Sequence, residues 1–127
     1  MNVRDAVTLN PTIGGNPVSS LSGAGIANSD PIDVGNFVEL MAFINMTAQT
    51  GTSPTLDCKI QYSADYNPST KIGTWVDSGD SFAQMTTVTG IYIKKLSANF
   101  GKYIRLVFTL GGTSPDYTFV PAIAAKS

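Results

Sequence analysis

The chain spells Gly-Thr-Ser-Pro twice, in GTSPTLDCKIQYS (residues 51–63) and again in GTSPDYTFVPAIA (residues 112–124). An apolar run leads into each copy, and a second run leaves it. Glycine permits the backbone angles of a tight reversal, and proline fixes φ while lacking the N–H that a strand ladder uses. The repeat therefore predicts two strand–turn–strand hairpins, each with Gly-Thr-Ser-Pro as its turn.

The runs around the repeat alternate between apolar and polar residues with the period of a β-strand. FVELMAFINMT (residues 37–47) also fits helical spacing through Phe37, Leu40, Met41 and Ile44, but the repeat favours a strand. The predicted inward residues are Val38, Leu40, Ala42, Ile44 and Met46 in that run, Leu56, Cys58, Ile60 and Tyr62 after the first repeat copy, and Ile104, Leu106, Phe108 and Leu110 before the second.

About eight short strands at regular spacing predict an all-β fold, an antiparallel β-sandwich of jelly-roll type, with a small closed barrel as the alternative. Residues 1–36 are rich in Gly, Pro, Ser and Asn, with single apolar residues between them. They are interpreted as an extended N-terminal arm with short strands, VRDAVTL (residues 3–9) being the first. The arm packs either on its own domain, residues 37–127, or on a neighbouring subunit.

Composition excludes several classes of partner. A net charge of −1 and an isoelectric point near 5.0 attract neither nucleic acid nor an anionic membrane. No apolar run approaches the roughly 20 residues that span a bilayer.

The N-terminus lacks the apolar core of a signal peptide, so we expect synthesis and retention in a cytoplasm. The basic residues Lys94, Lys95, Lys102 and Arg105 are interpreted as a solvated strand face.

Catalysis is poorly supported, and we expect no enzyme, no cofactor and no metal site. The chain has no histidine, the commonest general base, and its one cysteine, Cys58, lies on an inward strand face. The candidate carboxylates for glycoside hydrolysis are Asp57, Asp65, Asp77, Asp80 and Asp116. Three of them, Asp65, Asp77 and Asp80, fall in or beside predicted turns, where Asp bonds its own backbone.

Trp75 is the only tryptophan. An exposed position beside Tyr66 or Tyr92 would let it stack on a sugar ring. The favoured interpretation is a core position between the sheets, because a buried indole removes a large apolar area from water.

The outward faces of two runs mix apolar with polar residues, whereas a sheet with one solvated side is polar there. We therefore expect another protein, or the arm, to cover part of these faces. The candidate protein-interface residues are Val3, Val7, Leu9, Ile13, Phe37, Met41, Phe43, Tyr103 and Val107.

Two stretches resemble small β-sandwich proteins of tailed bacteriophage virions. They are TLDCKIQYSADYNPSTKIGTWVDSGDSFAQMTTVTG and ANFGKYIRLVFTLGGTSPDYTFVPAIAAK, which together cover about residues 55–126. The shared features are Gln-x-Ser-x-Asp after an alternating strand, a loop reaching Thr-Trp, then Lys-Tyr-Ile-Arg and Gly-Gly-Thr-Ser-Pro before a final aromatic strand.

The resemblance implies a non-enzymatic decoration or cement protein that binds the capsid exterior and stabilises the shell. It implies a location on the virion surface after synthesis in the host cytoplasm, with the major capsid protein as partner. Symmetric contacts would favour a homo-oligomer, a trimer or another ring. The alternatives are a carbohydrate-binding module that uses Trp75 as a stacking platform, and a tail or connector subunit of the virion.

Overall fold

Two very long strands organise the molecule. The computed structural model describes residues 6–86, 90–96 and 101–127. Strand β7 (Glu39–Ser63) and strand β10 (Tyr103–Lys126) pair antiparallel along their whole lengths. The remaining strands are β1 (Val7–Leu9), β2 (Thr12–Ile13), β3 (Asn16–Pro17), β4 (Ser20–Ser22), β5 (Gly25–Asn28), β6 (Ile32–Asp33), β8 (Val76–Ser81) and β9 (Gly90–Lys95).

The long strand pair folds over on itself. Phe108 and Phe119 are eleven positions apart in β10, yet their ring centroids lie 5.3 Å apart. A straight strand rising about 3.3 Å per residue would separate them by about 36 Å. The two halves of the pair therefore face each other across a common core, which makes the fold the predicted antiparallel β-sandwich.

Each half of the long pair is the centre of one layer. In the first sheet, β5 and β6 pair with residues 103–110 of β10, and β8 pairs with residues 59–62 of β7. In the second sheet, β1 and β4 pair with the C-terminal half of β10, and β9 pairs with residues 41–46 of β7. Strands β2 and β3 form a separate two-stranded sheet.

The prediction that Gly-Thr-Ser-Pro forms two hairpin turns is wrong. Both copies lie inside a long strand and opposite each other, with Thr52 paired to Thr113. The chain bends there without reversing: φ is 119° at Gly51 and 97° at Gly112, and the ladder shifts register on both sides of the pair. Local turn chemistry supplied the bend, but hydrogen bonds to the other copy kept each strand continuous.

The inward faces are largely as predicted, and the described part of residues 37–47 contains no helix. Val38 is the exception, because it lies before β7 and is 66% exposed. Tyr62 is half-buried against the core. The predicted residues that are buried are Leu40, Ala42, Ile44, Met46, Leu56, Cys58, Ile60, Ile104, Leu106, Phe108 and Leu110.

The predicted arm packs on its own chain. Strands β1, β4, β5 and β6 all pair with β10, so residues 7–33 supply edge strands to both sheets. Val18 and Val34 are buried in the core. Ile13, Leu21 and Ile32 pack against the same core, whereas Ile26 is 71% exposed.

The bend generates a prediction about its glycines. A Cβ on Gly112 would lie 2.5 Å from the Ser53 carbonyl oxygen, whereas one on Gly79, where φ is also positive at 86°, meets nothing within 4 Å. We expect Gly112→Ala to lower the free energy of unfolding by about 2 kcal/mol more than Gly79→Ala, since both share the backbone strain and only one adds the clash. Urea titration of both variants measures the difference. Equal losses would show that the two repeat copies do not depend on close approach.

Candidate functional site

The outer face of the first sheet carries a cluster of aromatic and polar side chains. The β7–β10 register places Arg105 opposite Gln61, and the β7–β8 register places Gln61 opposite Asp77. Tyr103 lies two residues before Arg105 and therefore on the same face. We call the group Tyr66, Trp75, Tyr103 and Arg105 the aromatic patch.

The rings of the patch are in direct contact. Tyr66 lies with its ring centroid 5.7 Å from that of Trp75 at an interplanar angle of 48°, and 5.1 Å from that of Tyr103 at 68°. The Arg105 guanidinium carbon is 4.4 Å from the centroid of Trp75, a cation–π contact. All four side chains are partly exposed. The patch therefore presents aromatic surface to solvent next to a fixed cation.

A row of hydrogen bonds runs across the sheet beside the rings. Arg105 Nε donates to Gln61 Oε1 at 2.9 Å, and Gln61 Nε2 donates to Asp77 Oδ1 at 2.8 Å. Lys59 Nζ lies 3.2 Å from Asp77 and completes the row. The bonds from Gln61 and Lys59 lower the pKa of Asp77, and burial lowers the pKa of Arg105. Each side chain thus holds the next in one orientation.

The loop from residue 64 to residue 75 brings two of the rings to this face. Asp65 accepts hydrogen bonds from the Thr74 backbone N–H at 2.7 Å, from Thr74 Oγ1 at 3.0 Å and from Ser63 Oγ at 2.9 Å. A Cβ on Gly73 would lie 2.7 Å from Tyr66 Cα, so glycine allows the two ends of the loop to touch. These contacts fix Tyr66 and Trp75 beside β10.

Two shallow hollows flank the patch. One, of about 320 Å³, lies along β7 and β10 and is lined by residues 57–59, Ser81, Phe82, Val107 and Thr109. The other, of about 530 Å³, is lined by residues 33–37, Gly101 and Lys102. Lys102 Nζ also lies 5.5 Å from the centroid of the Tyr103 ring. The partly exposed patch thus has a shallow depression on each side of it.

Two features of the described residues bear on catalysis and metal binding. Cys58 is buried, and burial raises the pKa of its thiol, so it is not poised as a nucleophile. Within residues 6–86, 90–96 and 101–127, no group of three or more His, Cys, Asp or Glu side chains could hold a metal ion. The same ranges contain no helix of sufficient length and hydrophobicity to cross a membrane.

The favoured interpretation of Trp75 as a core residue is wrong. Trp75 is half-buried, lies outside the core cluster and contacts Tyr66, one of the two tyrosines named beside it. The other, Tyr92, pairs with the buried Ile44 and packs against the core. Arg105, interpreted as part of a solvated face, is instead held by Trp75 and Gln61.

The interface candidates fall in different environments. Tyr103 belongs to the aromatic patch, Met41 and Phe43 lie half-buried on the outer face of the second sheet, and Val107 is buried by this chain. Val7 is 52% exposed, and Leu9, Ile13 and Phe37 pack against the core. Val3 lies outside the described residues.

Gln61 is not among the site residues predicted from the sequence, although strand alternation puts it on the outward face, and Asp77 is predicted only as a candidate carboxylate beside a turn. The hydrogen bond of Gln61 with Arg105 joins residues 44 positions apart in the chain. The two-residue alternation of a strand shows which face a side chain is on, but it does not show which other strand lies beside it.

No protein-family model matches the sequence, and no curated protein matches it. Among solved structures, the chain is similar to the CBM22-1–GH10 modules of Clostridium thermocellum xylanase 10B complexed with xylohexaose, with a TM-score of 0.50 and 16% identity over 98% of this chain and 25% of that one. It is also similar to PirA (TM-score 0.49, 16% identity, 90% and 99% covered) and to a CBM36 module bound to calcium and xylotriose (0.43, 14%, 94% and 88%). At such identities the likeness shows the β-sandwich fold alone.

The hydrogen bonds of Asp65 in the loop at residues 64–75 lead us to expect that the free energy of unfolding depends on pH. Hydrogen bonds from Thr74 and Ser63 lower the pKa of Asp65 from its ordinary value of 3.8. The stabilisation from this carboxylate is therefore complete above the unfolded-state value and is lost as pH falls through the lower folded-state value. We expect wild type to be more stable than Asp65→Asn at pH 7, and the difference to shrink below about pH 4.

Urea titrations at a series of pH values measure this effect. Asp116→Asn is the control, because Asp116 is exposed and its side chain makes no hydrogen bond to the described part of the chain. A stability gap between wild type and Asp65→Asn that is unchanged down to pH 2 would contradict the role given to Asp65.

Proposed function

We propose that this chain is a non-enzymatic glycan-binding module and that the aromatic patch is its binding surface. The observation that carries the proposal is the contact of three rings, Tyr66, Trp75 and Tyr103, beside the row Arg105–Gln61–Asp77. The β-sandwich fold, which a xylanase-associated carbohydrate-binding module shares, is compatible with such a site and does not by itself establish it.

The chemistry of the patch matches that of a sugar ring. A pyranose has one face of C–H bonds, which packs on the electron-rich face of an aromatic ring. Its hydroxyl groups need donors and acceptors around the edge, and Gln61, Asp77 and Lys59 supply both kinds. Because these side chains are already hydrogen-bonded to one another, a ligand finds them in place and little ordering entropy is lost on binding.

The patch is long enough for more than one sugar. Residues 103–109 of β10 run from the rings to the hollow of about 320 Å³, a distance of about 20 Å at 3.3 Å per residue. Tyr103 and Arg105 are partly exposed at one end of this line and Thr109 at the other, and Val107 between them is buried. We infer binding to an internal stretch of a linear glycan rather than to a single terminal sugar.

Replacing Trp75 tests this site. We expect Trp75→Ala to weaken binding to a xylan or a galacturonan at least tenfold, because the ring and the support it gives Arg105 are both lost. Ile72→Ala is the control, since Ile72 is 71% exposed in the same loop and is neither an aromatic nor a charged member of the patch. Affinity electrophoresis and titration calorimetry over a panel of soluble glycans measure the change. Absence of binding by the wild type across that panel would reject the function.

A second candidate function follows from the outer face of the second sheet. Two cross-strand rows on β9, β7 and β10 carry apolar residues there. Ile93–Phe43–Ala122 is wholly apolar, and the next row, Ile91–Asn45–Val120, is apolar at both ends with the polar Asn45 between them. Ile91, Ile93 and Val120 are 65%, 58% and 56% exposed. Met41, Phe43, Ile91, Ile93, Val120, Ala122 and Ala124 make up what we call the apolar face.

An exposed apolar sheet face of this kind marks a contact with another protein. Together with the resemblance of residues 55–126 to tailed-phage virion proteins, it supports the role of a decoration protein bound to a major capsid protein, as a trimer or another ring. The two candidate functions use opposite outer faces, so one molecule has room for both.

A charge on the apolar face tests the second candidate. We expect Ile93→Lys to abolish or strongly reduce occupancy on purified capsids, because the lysine would be desolvated in the contact, while the free energy of unfolding changes by less than about 0.5 kcal/mol. Ile72→Lys, at an equally exposed site away from this face, should leave occupancy unchanged. Quantitative gel analysis of purified particles gives the occupancy, and full occupancy with Ile93→Lys would exclude this face.

A further inference from the structure

Arg105 places a positive charge in the aromatic patch, and a neutral ligand has no group to pair with that charge. Its Nε donates to Gln61 Oε1 at 2.9 Å, and its guanidinium carbon lies 4.4 Å from the centroid of the Trp75 ring. The side chain is half-buried, and burial lowers its pKa. The guanidinium is thus rigidly placed and partly removed from water.

The same guanidinium has no anionic partner in the described part of the chain. The ion pair found there joins Lys59 to Asp77, and no carboxylate lies within ion-pair distance of Arg105. Its two Nη nitrogens, which carry four of the five N–H donors, donate to no partner among the described residues either. The interaction free energy with an incoming anion is more favourable for a partly desolvated cation with unmatched donors than for a fully exposed cation.

Nearby carboxylates are already matched with donors. Asp77 accepts from Gln61 and Lys59, and Asp65 accepts from Thr74 and Ser63. Asp33, paired with Tyr103 across the β6–β10 ladder, accepts from the Gly35 N–H. Of these carboxylates only Asp77 has a cation beside it, and Asp65 and Asp33 accept from neutral donors. Among the described residues of the patch, Arg105 is therefore the cation whose N–H donors are left unmatched.

We infer that the glycan bound by this patch is acidic and that Arg105 binds the carboxylate of a uronic acid residue. The inference deepens the proposed function and rests on it. The fork between the two Nη nitrogens fits the two oxygens of a carboxylate, while the C–H face of the same sugar packs on the neighbouring tyrosine rings. Lys102, above Tyr103, supplies a second cation at one end of the patch for a repeated uronate.

Two forms of one polymer test the inference with the unaltered chain. Unesterified homogalacturonan and its fully methyl-esterified form have the same rings and linkages and differ only at the carboxyl group, which is an anionic carboxylate in the first and a neutral methyl ester in the second. We expect the wild type to bind the acidic form at least tenfold more tightly at low salt, with the preference decreasing as salt rises. Arg105→Gln should remove this preference, and Arg105→Lys should restore only part of it, because lysine keeps the charge without the fork.

The possible outcomes distinguish the inference of an acidic sugar from the proposed glycan-binding function. Equal affinity of the wild type for both forms, or a preference that survives in Arg105→Gln, overturns the acidic-sugar inference while glycan binding stands. Binding to a sulfated dextran without binding to the unesterified polymer overturns the assignment to a carboxylate. Failure to bind either polymer or a neutral xylan rejects the glycan-binding function itself. The comparison of the two polymers on wild type requires no variant to fold.

Discussion

The mutual contact of the two Gly-Thr-Ser-Pro segments is the constraint on which the rest of the structure depends. The relation is reciprocal: a Cβ on Gly51 would meet the Ser114 carbonyl oxygen, and a Cβ on Gly112 would meet that of Ser53. Each strand therefore bends exactly where its partner bends, and the ladder resumes on both sides. Strands of 25 and 24 residues, well beyond the usual 3–10, can persist because the bend is shared.

A shared bend also explains how few strands are needed to build two layers. The same two strands form the centre of both sheets, and the shorter strands add at their edges. The inner faces of the two halves meet, as the contact of Phe108 with Phe119 shows, and the Tyr117 hydroxyl donates to the Met85 carbonyl oxygen at 3.1 Å. The core is thus closed chiefly by the long pair, with the N-terminal strands covering its β10 side.

The two outer faces differ in chemistry although the same strands form them. In the first sheet, outward positions of β7 and β10 carry Lys59, Gln61, Tyr103 and Arg105, whereas in the second sheet the corresponding positions carry apolar residues such as Phe43 and Val120. The first face offers oriented hydrogen-bonding groups, which confer selectivity for a polar ligand. The outer face of the second sheet has exposed apolar surface area of the kind that is buried when two proteins bind. This difference is the reason for assigning the two proposed binding activities to opposite sides of the molecule.

The sequence by itself determined the all-β class and the inward residues from Leu40 to Met46 and from Ile104 to Leu110, because alternation with period two is a local property of a strand. It also determined that the chain would change direction at each Gly-Thr-Ser-Pro. Only the tertiary structure decided that these segments bend together instead of closing hairpins. It also decided that β1, β4, β5 and β6 pair with β10, and that Trp75 lies beside Arg105 on an outer face. Each of these features depends on which segments, distant in the sequence, pair with each other. The register that places Gln61 opposite Arg105 is fixed by the packing of the whole sheet and not by a local sequence pattern.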